Sequence, residues 1–273
     1  MPLTPLSQAH LTLLDTCDRK YQYVFFDALA TPPTYDQQLT TQWGSQFHLL
    51  MQQQAMNLPV GAIAPANEEM AASMAALAAA APEVFENSSS QQIDEQFRQS
   101  EHRRTLAFNG YLLTVVYDLL ILGTEQGQIF DWKTHQQPPK KEWLQQEWQT
   151  KLYLYVLCET TALQPEQISM TYWFVRLGEP AKQPSFYQFS YSAAQHLQTE
   201  QALQSLTSRL TRMSEQFKFP KVPEGSDRCE SCAFNVRCDR VSSTSNSRPL
   251  YESARLLRTA SGISPESVEE IPL

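Results

Sequence analysis

Gly127-Gln-Ile-Phe-Asp-Trp-Lys-Thr134 is a short apolar run ending in Asp131-Trp132-Lys133, and its reading decides the fold. It follows the turn-forming stretch Gly123-Thr-Glu-Gln-Gly127 and reads as a strand. Side chains two apart on a strand share a face, so Asp131 and Lys133 project together. One is a hard oxygen ligand and the other a cation on a long stem. Such a pair can hold a divalent metal and stabilise charge on a phosphate.

Working outward, residues 103–108 and 111–122 are dense in β-branched, aromatic and aliphatic side chains. Asn109-Gly110 between them is a hairpin signal. With 127–133 they predict a three-stranded meander. Asp118 falls inside the second strand, where a charge is costly unless it is paired or liganded. Two carboxylates converging from neighbouring strands repel unless a cation lies between them. A solvated strand face with ordinary ion pairs is the simpler reading of the same residues.

The flanks alternate helix and strand. Residues 6–16 carry apolar side chains at helical spacing, with Ser7 as N-cap. Cys17 interrupts, and Asp18 is expected to cap a second helix holding Tyr21, Tyr23, Phe25 and Phe26, ended by Thr31-Pro-Pro-Thr34. Residues 37–55 read as a further helix. The alanine-rich run 67–81 is a strong intrinsic helix with an acidic first turn, within a helical insertion at about 57–90. After Pro138-Pro139, residues 141–161 predict one long amphipathic helix. Strands follow at 168–176 and 185–191, then a helix at 192–217. Residues 221–240 form a cysteine-bearing knob, and 241–273 read as a flexible tail.

Composition narrows the function. The chain has 273 residues, 42% of them hydrophobic, and no run approaches the roughly 18–20 apolar residues of a membrane span. The opening Met-Pro-Leu-Thr-Pro-Leu lacks a basic region followed by an apolar core, so a cytoplasmic location is expected. The net charge of −8 argues against a general nucleic-acid coat protein but allows an enzyme that meets DNA in a local groove. Glycine is scarce, and neither a phosphate-binding nor a dinucleotide-binding glycine motif occurs, which argues against a motor or a dinucleotide enzyme.

Two helices complete an ordered set. Gly44-x-x-x-His48 precedes the strands, and Gln149-Thr-Lys-Leu-Tyr153 follows Asp131-Trp132-Lys133, with Gln149 and Tyr153 on one helical face. The order Gly44/His48, Asp118, Asp131-Trp132-Lys133, Gln149/Tyr153 resembles the PD-(D/E)xK nuclease superfamily in its RecB-like branch, over about residues 7–240. The resemblance implies an α/β restriction-endonuclease-like core, a mixed central sheet flanked by helices. It implies that Asp118, Asp131, the Trp132 carbonyl and His48 ligate Mg²⁺ or Mn²⁺. Lys133 would orient water or stabilise phosphorane charge, and Gln149 and Tyr153 would position the lysine and the scissile strand. Glu95 or Glu101 would add an acidic contact. The family often has glycine three residues before the first metal aspartate, where this chain has Val115.

Three of the five cysteines read Cys229-x-x-Cys232-x5-Cys238, with Cys17 far upstream and Cys158 on the Gln149 helix. In a cytosolic chain such clustering suggests a metal rather than disulfides. Four thiolates suit zinc or an iron–sulfur cluster, and one distant cysteine fits a zinc ribbon poorly. The spacing resembles AddB-type and CRISPR-associated RecB-like nucleases, which implies a structural 4Fe–4S cluster on Cys17, Cys229, Cys232 and Cys238, with zinc as the alternative. Cys158 reads as a small buried hydrophobe.

Arg19-Lys20, Arg103-Arg104 and Lys140-Lys141 are candidate phosphate contacts, and Trp132, Trp143 and Trp148 candidate base-stacking residues. The expected activity is metal-dependent cleavage of DNA, single-stranded ends foremost, in repair, recombination or CRISPR-associated processing. A DNA-holding subunit of a larger complex is the alternative, and either role allows a protein partner.

Overall fold

In the computed structural model, residues 3–29, 33, 35–58, 68–85, 95–134, 138–176 and 183–240 are described. The chain divides into two compact units, Met1–Lys221 and Val222–Leu273. Among the described residues no helix is long and apolar enough to cross a membrane.

The first unit is built on a six-stranded mixed sheet: β1 (Thr4–Leu6), β2 (Glu95–Phe108), β3 (Tyr111–Gly123), β4 (Gly127–Lys133), β5 (Ile168–Phe174) and β6 (Ser185–Ser190). The predicted meander is present, with β2, β3 and β4 antiparallel in sequence. Asn109 and Gly110 both take positive φ, 45° and 84°, as the tight turn between β2 and β3 requires. β4 and β5 are parallel, and the crossover that parallel pairing needs is supplied by α6 (Lys141–Gln146) and α7 (Trp148–Glu159).

β3 is the hinge of the topology. β2 covers one of its edges throughout. The other edge is shared end to end, β1 pairing parallel at residues 111–113 and β4 antiparallel at residues 119–122. Residues 114–118 lie in the interval between these two neighbours.

One face of the sheet is covered by α1 (Gln8–Thr16), α7 and α8 (Ala193–Gln216), whose buried side chains join those of Val115, Tyr117, Ile129 and Tyr172. The other face is covered by α3 (Tyr35–Ala55) and α4 (Glu68–Ala80), packed on Leu119, Phe130, Trp132 and Trp173. α8 is amphipathic, with Leu203, Leu206, Leu210 and Met213 buried and Ser192 capping its start by accepting from Gln195 N–H. Between α1 and α3, α2 (Asp18–Tyr21) runs on as a wider helical turn through Phe26, with Cys17, not Asp18, in the cap position. α5 (Pro82–Phe85) closes the α4 side.

The expectations are corrected at four points. The helix over 141–161 is broken at Glu147, which is extended (φ −64°, ψ 144°), and α7 restarts at Trp148. α7 is also not amphipathic: Trp148, Thr150 and every residue from Leu152 to Leu157 are buried, as for a helix enclosed on all sides. The strand predicted at 103–108 is longer, beginning at Glu95, and the strand β1 within the predicted 6–16 helix region and just before it was not expected. All of the Thr31–Thr34 turn but Pro33, and much of the 57–90 insertion, lie outside the described residues.

The second unit, described to residue 240, is a run of turns with a short helical turn at Asp227–Cys229. Cys232 N–H donates to the Cys229 carbonyl and Cys238 N–H to the Phe234 carbonyl. Arg240 joins the ends of this stretch, donating to the Val222 carbonyl at 3.0 Å and pairing with Glu224 at 2.8 Å. The tail beyond it lies outside the described residues.

Candidate active site

Asp118 and Asp131 stand opposite one another on β3 and β4, one position past the last ladder pair, Leu119 and Phe130. In place of a further ladder bond, Trp132 N–H donates to Asp118 Oδ2 at 2.7 Å. β3 changes phase here. Leu113, Val115 and Tyr117 pack with the α7 layer, whereas Leu119 and Ile121 pack with the α3 layer. On β2, Glu101 lies across from Asp118, between the pairs Ser100–Leu119 and His102–Tyr117, and takes φ 50°. Such a backbone costs a non-glycine residue of order 1 kcal/mol or more, and it turns the side chain out of regular alternation. Ser100 Oγ donates to the Asp118 carbonyl at 2.8 Å and steadies the same point.

From the α7 side, Gln149 bridges the motif residues. Its Nε2 donates to Asp131 Oδ1 at 2.6 Å, and its Oε1 accepts from Lys133 Nζ at 2.7 Å. Lys133 Nζ is also 2.7 Å from Asp131 Oδ2, an oxygen that otherwise has no hydrogen-bond partner. The ammonium lies 4.8 Å from the centre of the Tyr172 ring. Tyr172 escaped the sequence reading. The parallel register of β5 on β4, which pairs Asp131 with Tyr172, is the signal that would have found it. Tyr153 is buried beside these groups. Burial, and then the Asp131 and Asp118 charges, push its hydroxyl pKa well up, so it stays protonated.

From the α3 side comes His48. Its Nε2 is 3.1 Å from the Trp132 carbonyl, and its Nδ1 is 3.2 Å from Asp118 Oδ1 and 3.8 Å from Glu101 Oε1. Burial works to lower the pKa of this ring. The hydrogen bonds to Asp118 and Glu101, with the Asp118 and Asp131 charges, outweigh it and raise the pKa to about 10. Both nitrogens face acceptors, as suits an imidazolium. Asp118 is pushed upward, first by burial and then by the neighbouring Asp131 charge. Gly44 lets α3 come this close: a Cβ there would meet Thr134 Oγ1 at 3.1 Å, directly after Lys133.

The structure thus brings His48, Asp118, Asp131, Trp132, Lys133, Gln149 and Tyr153 to one locus, with Glu101 beside them; the Glu95 side chain is outside the described residues. Two stacking candidates are corrected. Trp132 is buried between the sheet and α3, and Trp148 is buried with its Nε1 donating to Asp15 at 3.2 Å. Trp143 is 56% exposed. Of the basic pairs, Arg104 is committed to the Thr160 carbonyl and hydroxyl at the end of α7.

No disulfide joins the five cysteines. Among the described residues, His48, Glu101 and Asp118 are the one set of three or more such ligating side chains gathered within 4.8 Å. The three thiols of the second unit form no such set. Cys158 is half-buried, with its thiol pKa raised chiefly by burial.

The model of the PD-(D/E)XK nuclease superfamily matches residues 5–239, and the chain belongs to that superfamily. No curated protein matches the chain. Among solved structures it is similar to a protein named SSO0001, 11% identical, over 89% of this chain and 90% of that one, with a TM-score of 0.38. It is also similar to a Eubacterium rectale protein provisionally assigned as an exonuclease, 12% identical, over 86% and 88% of the two chains, with a TM-score of 0.45.

Proposed function

We propose that this chain is a Mg²⁺- or Mn²⁺-dependent deoxyribonuclease of the RecB-like branch, trimming single-stranded DNA ends in repair, recombination or CRISPR-associated processing. The observation that carries this reading is the bridge from Gln149 to both Asp131 and Lys133, set beside the Asp118–His48 pair. The donor set suits a hard divalent cation: buried carboxylates from two strands, one imidazole, and an Asp131 oxygen whose contact is the Lys133 ammonium.

His48, Asp118, Asp131 and the Trp132 carbonyl would hold the ion, which when bound neutralises phosphate oxygens and lowers the pKa of a water. Lys133 would carry its ammonium to the scissile phosphate, exchanging its contact with Asp131 for one with a phosphate oxygen. Gln149 limits that amine to one position through its own hydrogen bond. Tyr153, kept protonated by burial, would support Gln149 from below as a neutral group. Trp143 is the exposed tryptophan able to stack on a base of a single strand.

A 4Fe–4S cluster on Cys17, Cys229, Cys232 and Cys238, or zinc in its place, belongs to the same proposal and rests on cysteine spacing. Visible charge-transfer absorption in anaerobically purified protein distinguishes the two. The acidic chain and its lack of a motor motif support a cytoplasmic protein partner.

The test is cleavage of 5′- and 3′-labelled single- and double-stranded DNA with Mn²⁺ or Mg²⁺. The expected result is cleavage lost in Asp131→Ala. No cleavage with either ion, or equal cleavage by the variant, overturns the enzymatic reading. DNA binding without turnover, unchanged in Lys133→Ala, would favour a DNA-holding subunit.

A further inference from the structure

The His48 ring faces two carboxylates rather than one. Nδ1 is 3.2 Å from Asp118 Oδ1 and 3.8 Å from Glu101 Oε1, and one ligand atom from each of the three residues falls within a 4.8 Å group. The three come from separate elements, α3, β3 and β2. Glu101 reaches it from a left-handed backbone position in the interior of β2, across from Asp118. Its side chain is about one-third exposed, toward an open groove that Gly44, His48 and Thr134 also line. The buried Asp118 is therefore reachable from solvent past a carboxylate that shares its imidazole partner. Two carboxylates so placed repel unless positive charge lies between them.

We propose that Glu101 is a direct ligand of the divalent cation, gripping it with His48 and Asp118 from the groove side. The motif order left Glu95 and Glu101 as alternatives for an acidic contact, and the geometry assigns the role to Glu101. The inference rests on the nuclease reading and adds one carboxylate to its ion-holding set.

The experiment counts Mn²⁺ bound to the full chain, from the loss of the free ion's electron paramagnetic resonance signal. It compares wild type, Glu101→Gln, Glu101→Gly, Asp118→Asn and the exposed turn variant Glu125→Gln. Melting of each metal-free protein is measured alongside. Glycine suits a positive φ, so Glu101→Gly is expected to keep or raise the metal-free melting temperature. It is expected to weaken Mn²⁺ binding at least about tenfold, as is Glu101→Gln, a loss typical of a damaged metal shell. Glu125→Gln should bind as wild type does. Wild-type affinity in both Glu101 variants, with binding lost in Asp118→Asn, overturns the role of Glu101 and leaves the nuclease reading standing. A wild-type protein that binds no Mn²⁺ overturns both.

Discussion

Gln149 and Lys133 are joined by a 2.7 Å hydrogen bond, and the same amide holds Asp131 by its other end. One side chain from α7 therefore fixes the spacing between the acid and the base of the motif. Gln149→Ala is expected to lower kcat by about 10- to 100-fold while leaving KM for DNA little changed, because a positioning partner and not a substrate contact is removed. Steady-state cleavage of a labelled strand checks the split. An effect confined to KM would show that Gln149 touches DNA instead.

Gly44 and Thr134 meet across the gap between α3 and the end of β4. Gly44→Ala gains helix propensity but pushes a Cβ to 3.1 Å from Thr134 Oγ1. Since Thr134 adjoins Lys133, the crowding should reach the site. The single variant is expected to lose activity, and Gly44→Ala with Thr134→Ala to recover most of it. A double-mutant cycle on cleavage rate gives the coupling.

The raised pKa of His48 sets the sign of a pH effect. The folded protein holds this proton more tightly than the unfolded chain, whose histidine titrates near 6.5. The resulting stabilisation is complete below about pH 6.5 and is lost as pH rises toward about 10. Metal-free protein should therefore melt at lower temperature across that window, and His48→Gln should flatten the trend. Mn²⁺ competes with the same proton, so the stabilisation it gives should grow as pH rises. Melting curves with and without Mn²⁺ test both signs.

The two neighbouring tryptophans should part company. Trp148 is buried on α1 with a bond to Asp15, and Trp148→Ala is expected to cost about 3–5 kcal/mol in urea unfolding. Trp143→Ala should change stability by less than about 0.5 kcal/mol and weaken single-strand binding.

Local chemistry made much of this legible. Asn109-Gly110 fixed a tight hairpin, and the density of β-branched, aromatic and aliphatic side chains marked β3 and β4. What escaped depends on partners distant in sequence. β1 is three residues including Pro5 and has no periodicity of its own; it exists through pairing with β3. The break at Glu147 carries no Gly or Pro signal, and burial of Trp148 and Thr150 beyond it is a tertiary demand. At the site, types and order sufficed to name His48, Asp118, Asp131 and Lys133 as candidates that the fold brings together. Choosing Glu101 required a backbone angle that no composition reports.

His48 and Gln149 approach the same pair of aspartates from opposite faces of the sheet, at the interval on β3 between β1 and β4. The sheet is thus perforated at its chemistry rather than walled off by it. Neither helical layer owns the centre. A packing change deep in the α3 layer or in the α7 layer can detune the reaction without touching a reacting atom, and the two layers must agree on their spacing for the centre to form.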